Sequence, residues 1–170
     1  MKILETERLM LRQLTPDDAP FILELLNDPL FHRFVGDKGI RTVEGARDYI
    51  VSGPVASYAK HGFGLFHVAL KQTDAPIGMC GLLKRDVLED VDVGFAYLPQ
   101  YSGQGYATEA ALATMHYGQT VLGLKRIVAI TAPDNEASQN VLRKIGLRHT
   151  QTIHLPAYKG PSFLFTPDPA

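Results

Sequence analysis

The sequence predicts one mixed α/β domain, helices layered on a sheet, and three observations predict it. Short apolar runs of strand character alternate with stretches of helical spacing. Glycine and proline punctuate the boundaries between them. The stretch Val91 to Thr108 (VDVGFAYLPQYSGQGYAT) passes from a strand pattern through a glycine-rich turn into a helix. The predicted order is strand, two helices, three strands, helix, strand, helix, two strands, in a single domain over residues 1–170.

The first strand lies within Leu4 to Leu14, where Leu9 and Leu11 alternate with Met10 and Arg12. Thr15-Pro16-Asp17-Asp18 is a helix start: a capping residue, a proline suited to the first turn, and two acids that complement the helix dipole. Phe21, Ile22, Leu25 and Leu26 form its apolar face, and Asn27-Asp28-Pro29 ends it. Phe31 to Arg41 reads as a loop. Its Gly36-Asp37-Lys38 lacks the spacing and the Lys-Ser/Thr pair of a P-loop. A second helix starts after Thr42, buries Val43, Ala46, Tyr49 and Ile50, and breaks at Gly53-Pro54.

Leu65 to Leu70 and Ile77 to Leu83 read as strands around the turn at Thr73 to Pro76. Lys84 to Asp90 is a polar turn into the strand Val91 to Tyr97. Gly105 to Leu122 is helical, with Leu112, Met115, Gln119 and Leu122 expected in the core and Gly123 as its end. Arg126 to Thr131 is a nearly continuous apolar strand, as expected where both faces are covered. Pro133-Asp134-Asn135 opens the last helix, with Ala137, Val141, Leu142 and Ile145 inward and Gly146 as a left-handed cap. Arg148 to Leu155 and Ser162 to Thr166 are the final strands.

Composition narrows the function classes. The 170 residues are 45% hydrophobic and 21% charged, ordinary for a soluble globular protein with a real core. A net charge of -1 offers no global field for nucleic acid, so no nucleic-acid partner is expected. The single cysteine, Cys80, excludes an internal disulfide and reads as a small buried hydrophobe. Lys2, Glu5, Glu7 and Arg8 leave no signal-peptide core, and no apolar run approaches the ~20 residues that span a bilayer. A cytoplasmic protein without a membrane partner is therefore expected, as monomer or homodimer.

The turn Gln100-Tyr101-Ser102-Gly103-Gln104-Gly105 carries the functional signal. Two glycines at a strand-to-helix junction leave backbone amides free at the positive end of a helix, which suits a phosphate. A P-loop signature is absent. A dinucleotide fingerprint fails because Thr108 stands where the third small residue belongs and no ribose-binding acid follows the next strand. The Q/R-x-x-G-x-G/A turn of acyl-coenzyme A binders is matched by Gln100, Gly103 and Gly105.

With this turn, GFAYLPQYSGQGYATEA and APDNEASQNVLRKIGL resemble the GNAT N-acetyltransferases, and within them the RimJ/RimL-like branch of ribosomal-protein-alanine acetyltransferases. The opening ETERLMLRQLTPDDA is typical of that branch. The resemblance covers nearly the whole chain and is strongest from Val91 to Leu147. It implies a twisted mixed sheet of about seven strands with about four helices. It also implies acetyl-CoA in a gap between the fourth and fifth strands, here Val91–Tyr97 and Arg126–Thr131, and no metal. Backbone groups of Phe95, Ala96 and Tyr97 would hold the pantetheine arm and polarise the thioester. Amides from Tyr101 or Ser102 through Gly103, Gln104, Gly105, Tyr106 and Ala107 would hold the pyrophosphate. Many relatives carry Arg or Lys in this turn, whereas this chain has Gln100, Ser102 and Gln104, so backbone dipoles bear more of the load.

Asn135 and Ser138 match the family's N-x-x-S. Asn135 is both a helix N-cap and, by resemblance, a pantetheine contact. Ser138 would face the sulfur and donate to the leaving thiolate. Many relatives place a tyrosine acid one turn later, where this chain has Leu142. The reaction implied is direct attack of an amine on the thioester. An α-amine, with a pKa of about 7.7–8.0, then needs only a modest base. Asp92 is the leading candidate, at the position of the family's frequent strand glutamate; Glu89, Asp90, His149 and His154 are alternatives. Glu109 is expected to serve structure rather than catalysis. Phe31, His32, Phe34 and Tyr158 are the candidate acceptor contacts. The rival function is a non-catalytic acyl-CoA-binding sensor or partner-binding module on the same fold.

Overall fold

The computed structural model describes residues 2–167. The opening strand forms as Leu9–Gln13 (β2), but another strand, Lys2–Glu5 (β1), precedes it and pairs with it antiparallel. β1 escaped the sequence reading because a short edge strand has no two-faced burial to produce an alternation. Lys2 and Glu5 are exposed, and Ile3 and Leu4 are half-buried.

A 3-10 turn at Pro16–Asp18 leads into Ala19–Leu26 (α1). Asp18 accepts from the Thr15 amide at 2.9 Å and from Arg12 at 2.8 Å, so this first-turn carboxylate is structural. Pro29–Phe34 is a short helix (α2) rather than the expected loop. Asp28 explains it: its side chain accepts from the Leu30 amide at 3.0 Å, capping a helix that begins with a proline. Val43–Ile50 (α3) is capped by Thr42, as read. Gly53-Pro54 does not end it. The chain widens into a π-helical segment at Val51–Val55 and continues as Ala56–His61 (α4). A π turn already departs from the α-helical ladder, so the missing proline N–H is tolerated there.

The strands Leu65–Leu70 (β3), Pro76–Leu83 (β4) and Val91–Tyr97 (β5) follow, then Tyr106–Thr120 (α5), Ile127–Thr131 (β6), Glu136–Lys144 (α6), Arg148–Ile153 (β7) and Ser162–Thr166 (β8). All eight strands form one sheet in the order β1-β2-β3-β4-β5-β6-β8-β7. The sequence led us to expect seven strands and four helices. Among the described residues there are eight strands and six α-helices, the additions being β1, α2 and α4.

Every neighbouring pair is antiparallel except β5 and β6. Those two pair only at Val91↔Ile127 and Asp92↔Val128. From Ala129 onward β6 pairs with β8 instead. The sheet is therefore splayed where expected, although the extra first strand makes the pair the fifth and sixth. From Val93 to Tyr97 the β6-facing edge of β5 is an open ladder.

Odd- and even-numbered β4 residues show the two sides of the sheet. Met79 packs with Leu14, Ile22 and Leu25 beneath α1 and α3, while Leu82 packs with Ala111, Met115 and Leu142 of α5 and α6. The α5 face was misread. Met115 is buried as expected, but Leu112 is 48% exposed, and Ala110, Ala111, Thr114 and Gly118 are buried beside Met115. Small residues let this helix lie close to the sheet; a Cβ on Gly118 would stand 2.8 Å from Ile127 Cδ1. On α6, Leu142 and Ile145 are buried, but Ala137 faces solvent and Gln139 takes an inward place, donating to the Pro133 carbonyl at 2.8 Å.

Candidate active site

The glycine turn is built as the sequence suggested. A 3-10 turn at Pro99–Tyr101 follows β5, and Gly103 and Gly105 adopt φ of 75° and 84°, a left-handed conformation that disfavours any Cβ. Gly105 takes the N-cap place of α5 without a capping side chain. The Tyr101 and Ser102 amides are spent inside the turn, donating to the carbonyls of Leu98 and Pro99 at 3.1 Å. Among the described residues, the next six amides, Gly103 through Thr108, donate to no protein acceptor. The amide cradle thus begins at Gly103. The Ser102 hydroxyl and the Gln104 side chain bond back to the Pro99 and Gln100 carbonyls and brace the turn.

Arg8 is the residue that the sequence reading passed over. It lies between β1 and β2 and reaches across to this turn. Its Nη1 donates to the Gln104 carbonyl at 2.9 Å, and its Nε pairs with Glu109 Oε1 at 2.7 Å. The guanidinium sits 4.4 Å from the Tyr106 ring centroid. Glu109 also accepts from the Arg8 amide and the Thr6 hydroxyl, the structural role expected of it. The turn is thus braced by an ion-paired arginine from about a hundred residues away, which no local spacing could reveal.

Beside the open edge of β5 lies a cleft of about 870 Å³. It gathers Asp92, Phe95 and Ala96 from β5, Asn135 and Ser138 from the start of α6, and Phe31, His32 and Phe34 from α2. Tyr158, from the β7–β8 connection, closes one side. Residues far apart in sequence and assigned to cofactor, chemistry and acceptor thus share one cavity. Tyr97 does not line it; its side chain packs into the core near Cys80. The turn from Tyr101 to Ala107 lies outside the cavity wall, at the far end of β5.

Asn135 caps α6, its Oδ1 accepting from the Ser138 amide at 3.2 Å. The cap sets the position of Ser138, whose hydroxyl makes no hydrogen bond with other described residues. Leu142, 1% exposed, forms apolar floor where many relatives present a phenol. Asp92 is 1% exposed and its Oδ1 accepts from Arg85 Nε at 3.0 Å. Burial pushes its carboxyl above the usual range, and the Arg85 guanidinium opposes that shift. Arg85 also reaches the Tyr158 hydroxyl at 3.4 Å, which ties the β4–β5 connection to the β7–β8 connection.

The alternative bases lie elsewhere. Asp90 accepts from Arg126 at 3.0 Å, fastening the starts of β5 and β6. Glu89 and His154 do not line the cleft. His149 stacks on Phe163 with ring centroids 3.9 Å apart. Cys80 is fully buried beside Thr114, and burial pushes its thiol up to about 11, so it is an inert core residue. Among the described residues no group of three or more His, Cys, Asp or Glu is placed to hold a metal, and no helix is long and apolar enough to cross a membrane.

Comparison with known proteins gives a consistent picture. A protein-family model described as an acetyltransferase (GNAT) domain matches residues 8–148. The chain is 31% identical over 159 residues to the uncharacterized N-acetyltransferase YoaA of Bacillus subtilis (strain 168), covering 92% of this chain and 89% of that one. An acetyltransferase (GNAT family) from Bacillus anthracis superimposes with a TM-score of 0.80 at 26% identity, covering 98% and 97% of the two chains. RimL, a ribosomal L7/L12 α-N-protein acetyltransferase solved in complex with coenzyme A, gives a TM-score of 0.83 at 15% identity over 98% and 97% of the chains, a likeness of fold.

Proposed function

Because the chain belongs to the GNAT acetyltransferase family, we propose that it moves an acetyl group from acetyl-CoA to a primary amine entering the cleft between β5 and β6. One observation carries the reading: the acceptor-free amides from Gly103 to Thr108 stand at the N-terminus of α5, where the helix dipole adds its positive end. Such a cradle suits a pyrophosphate. The open edge of β5 beside it suits an extended, amide-bearing arm. The residues fit acetyl-CoA at both ends.

In this reading the amides of Gly103, Gln104, Gly105, Tyr106 and Ala107 hold the pyrophosphate, and Arg8 steadies the turn. The backbone of Phe95, Ala96 and Tyr97 aligns the pantetheine and the thioester. Asn135 orients the start of α6, and the Ser138 hydroxyl passes a proton to the departing thiolate while taking one from solvent water. Asp92 takes the proton from the amine, directly or through water. Phe31, His32, Phe34 and Tyr158 shape the acceptor's entrance. The fold shared with RimL supports an α-amine, on a peptide or a small molecule, as the nucleophile.

The test is thiol release from acetyl-CoA over a panel of N-terminal peptides, amino acids, polyamines and aminoglycosides, with the acetylated product identified by mass. Amine-dependent thiol release with a matching product is expected. Stabilisation by coenzyme A without thiol release from any amine would replace the enzyme with an acyl-CoA sensor. No thermal stabilisation at millimolar coenzyme A would overturn both.

A further inference from the structure

The charges lining the cleft do not cancel. Arg33 is paired with Asp134 at 3.1 Å, and Asp37 is taken by Arg41 of the same loop. Asp92 is held by Arg85. Lys38 and Lys159, both solvent-exposed at the mouth, also line the cleft, and among the described residues neither has a carboxylate within ion-pair distance. The walls also include an apolar and aromatic part, Phe31, Phe34, Leu65, Met79, Leu83 and Tyr49, together with the polar Asn135, Ser138 and Ser162.

We propose that the amine acceptor carries a carboxylate close to its amine, received by Arg85 and Lys38 while Asp92 faces the amine. This inference rests on the transferase reading above. A ligand with an ammonium and a carboxylate a few ångströms apart complements an Arg85–Asp92 pair whose side chains are 3.0 Å apart, offering each the opposite charge. A polyamine or aminoglycoside would instead bring cations into a cavity that already holds two unmatched ammonium groups. Partial desolvation of its ammonium, and then the charge of Arg85, lower the pKa of Lys38 although its side chain is largely exposed, so an arriving anion relieves a repulsion already present. The apolar walls take the rest of the acceptor. The carboxylate has two possible sources: the α-carboxylate of a free amino acid, or an acidic side chain at the start of a peptide.

The experiment compares kcat/KM, expressed per unprotonated amine, for phenylalanine, phenylalanine amide, spermidine, and peptide pairs with Glu or Gln at the second position, at fixed acetyl-CoA. The carboxylate-bearing member should lead by roughly tenfold, the size of one charge-assisted contact. The pair that shows the preference identifies the source. In Lys38→Met the preference should narrow to about twofold, with the KM for acetyl-CoA unchanged. Equal or faster turnover of the uncharged member in both pairs, or of spermidine against every carboxylate-bearing acceptor, overturns the proposal and leaves the transferase reading intact. Binding of N-acetylphenylalanine and its amide to the coenzyme A-saturated protein is read in parallel. If no amine is acetylated but the acid binds tighter in a Lys38-dependent manner, the anion site stands and the transferase reading falls. No preference in either readout sinks the proposal.

Discussion

Gly105 allows the pyrophosphate assignment to be worked through as numbers. Its φ is 84°, and a Cβ there would stand 3.3 Å from Arg8 Nη2. Gly105→Ala adds left-handed strain of about 1–2 kcal/mol and no charge. In a chain of this size that lowers Tm by roughly 2–8 °C. Gly105→Glu adds the same strain and puts a carboxylate among the amides. A unit charge about 5 Å from a pyrophosphate of about two charges costs about 1.7 kcal/mol in water, or about 1 kcal/mol after screening at physiological salt. Coenzyme A should therefore bind roughly five- to twenty-fold more weakly to the Glu variant than to the Ala variant. Calorimetry with coenzyme A and with pantetheine, which lacks the pyrophosphate, separates the causes. Pantetheine should bind the two variants equally. Equal coenzyme A affinity for both variants, or parallel losses for both ligands, would refute the placement of the phosphates.

Three further outcomes follow from particular contacts. Ser138→Ala should lower kcat by about a hundredfold, the lower end for a positioned proton donor, with unchanged coenzyme A affinity in calorimetry; unaltered kcat removes Ser138 from the chemistry. Arg8→Gln should raise the KM for acetyl-CoA several-fold with little change in kcat, since it frees the Gln104 carbonyl and Glu109 but leaves the cleft intact; a loss confined to kcat contradicts the bracing role. His67 is buried, packs edge-on against Phe21, and has its pKa lowered by burial to about 4. The unfolded chain then binds a proton below about pH 6.5 that the folded chain refuses, so stability falls as pH drops from 6.5 towards 4. Denaturant unfolding should show about 1–2 kcal/mol lost between pH 7 and pH 5, and His67→Gln should flatten that slope. An unchanged slope would mean other groups set the acid limb.

Much of the site was legible because its signals are local. The left-handed glycines, the Asn135 cap and the start of α6 are short-range rules written into consecutive residues, and the structure realises each. The miscounted elements have local causes that were weighed wrongly: Asp28 caps α2, and the π-helical segment absorbs Pro54. The buried face of α5 was misread because its contact is made by alanines and a glycine, which carry little hydrophobic signal and are chosen for closeness. What remained illegible was long-range pairing. Arg8 with Glu109, and Arg85 with both Asp92 and Tyr158, depend on how connections fold over one another. Asp92 was found as a candidate base, but its bond to Arg85 was not visible in VDVG.

The central claim is that one ligand spans the amide cradle and the open edge of β5. Amide hydrogen exchange with and without saturating coenzyme A tests it most directly. The amides of Gly103 to Thr108, which have no acceptor among the described residues, should slow markedly on binding, together with those along the open edge from Val93 to Tyr97. Saturated binding that leaves Gly103 to Thr108 exchanging at the rate of the free protein would contradict the account.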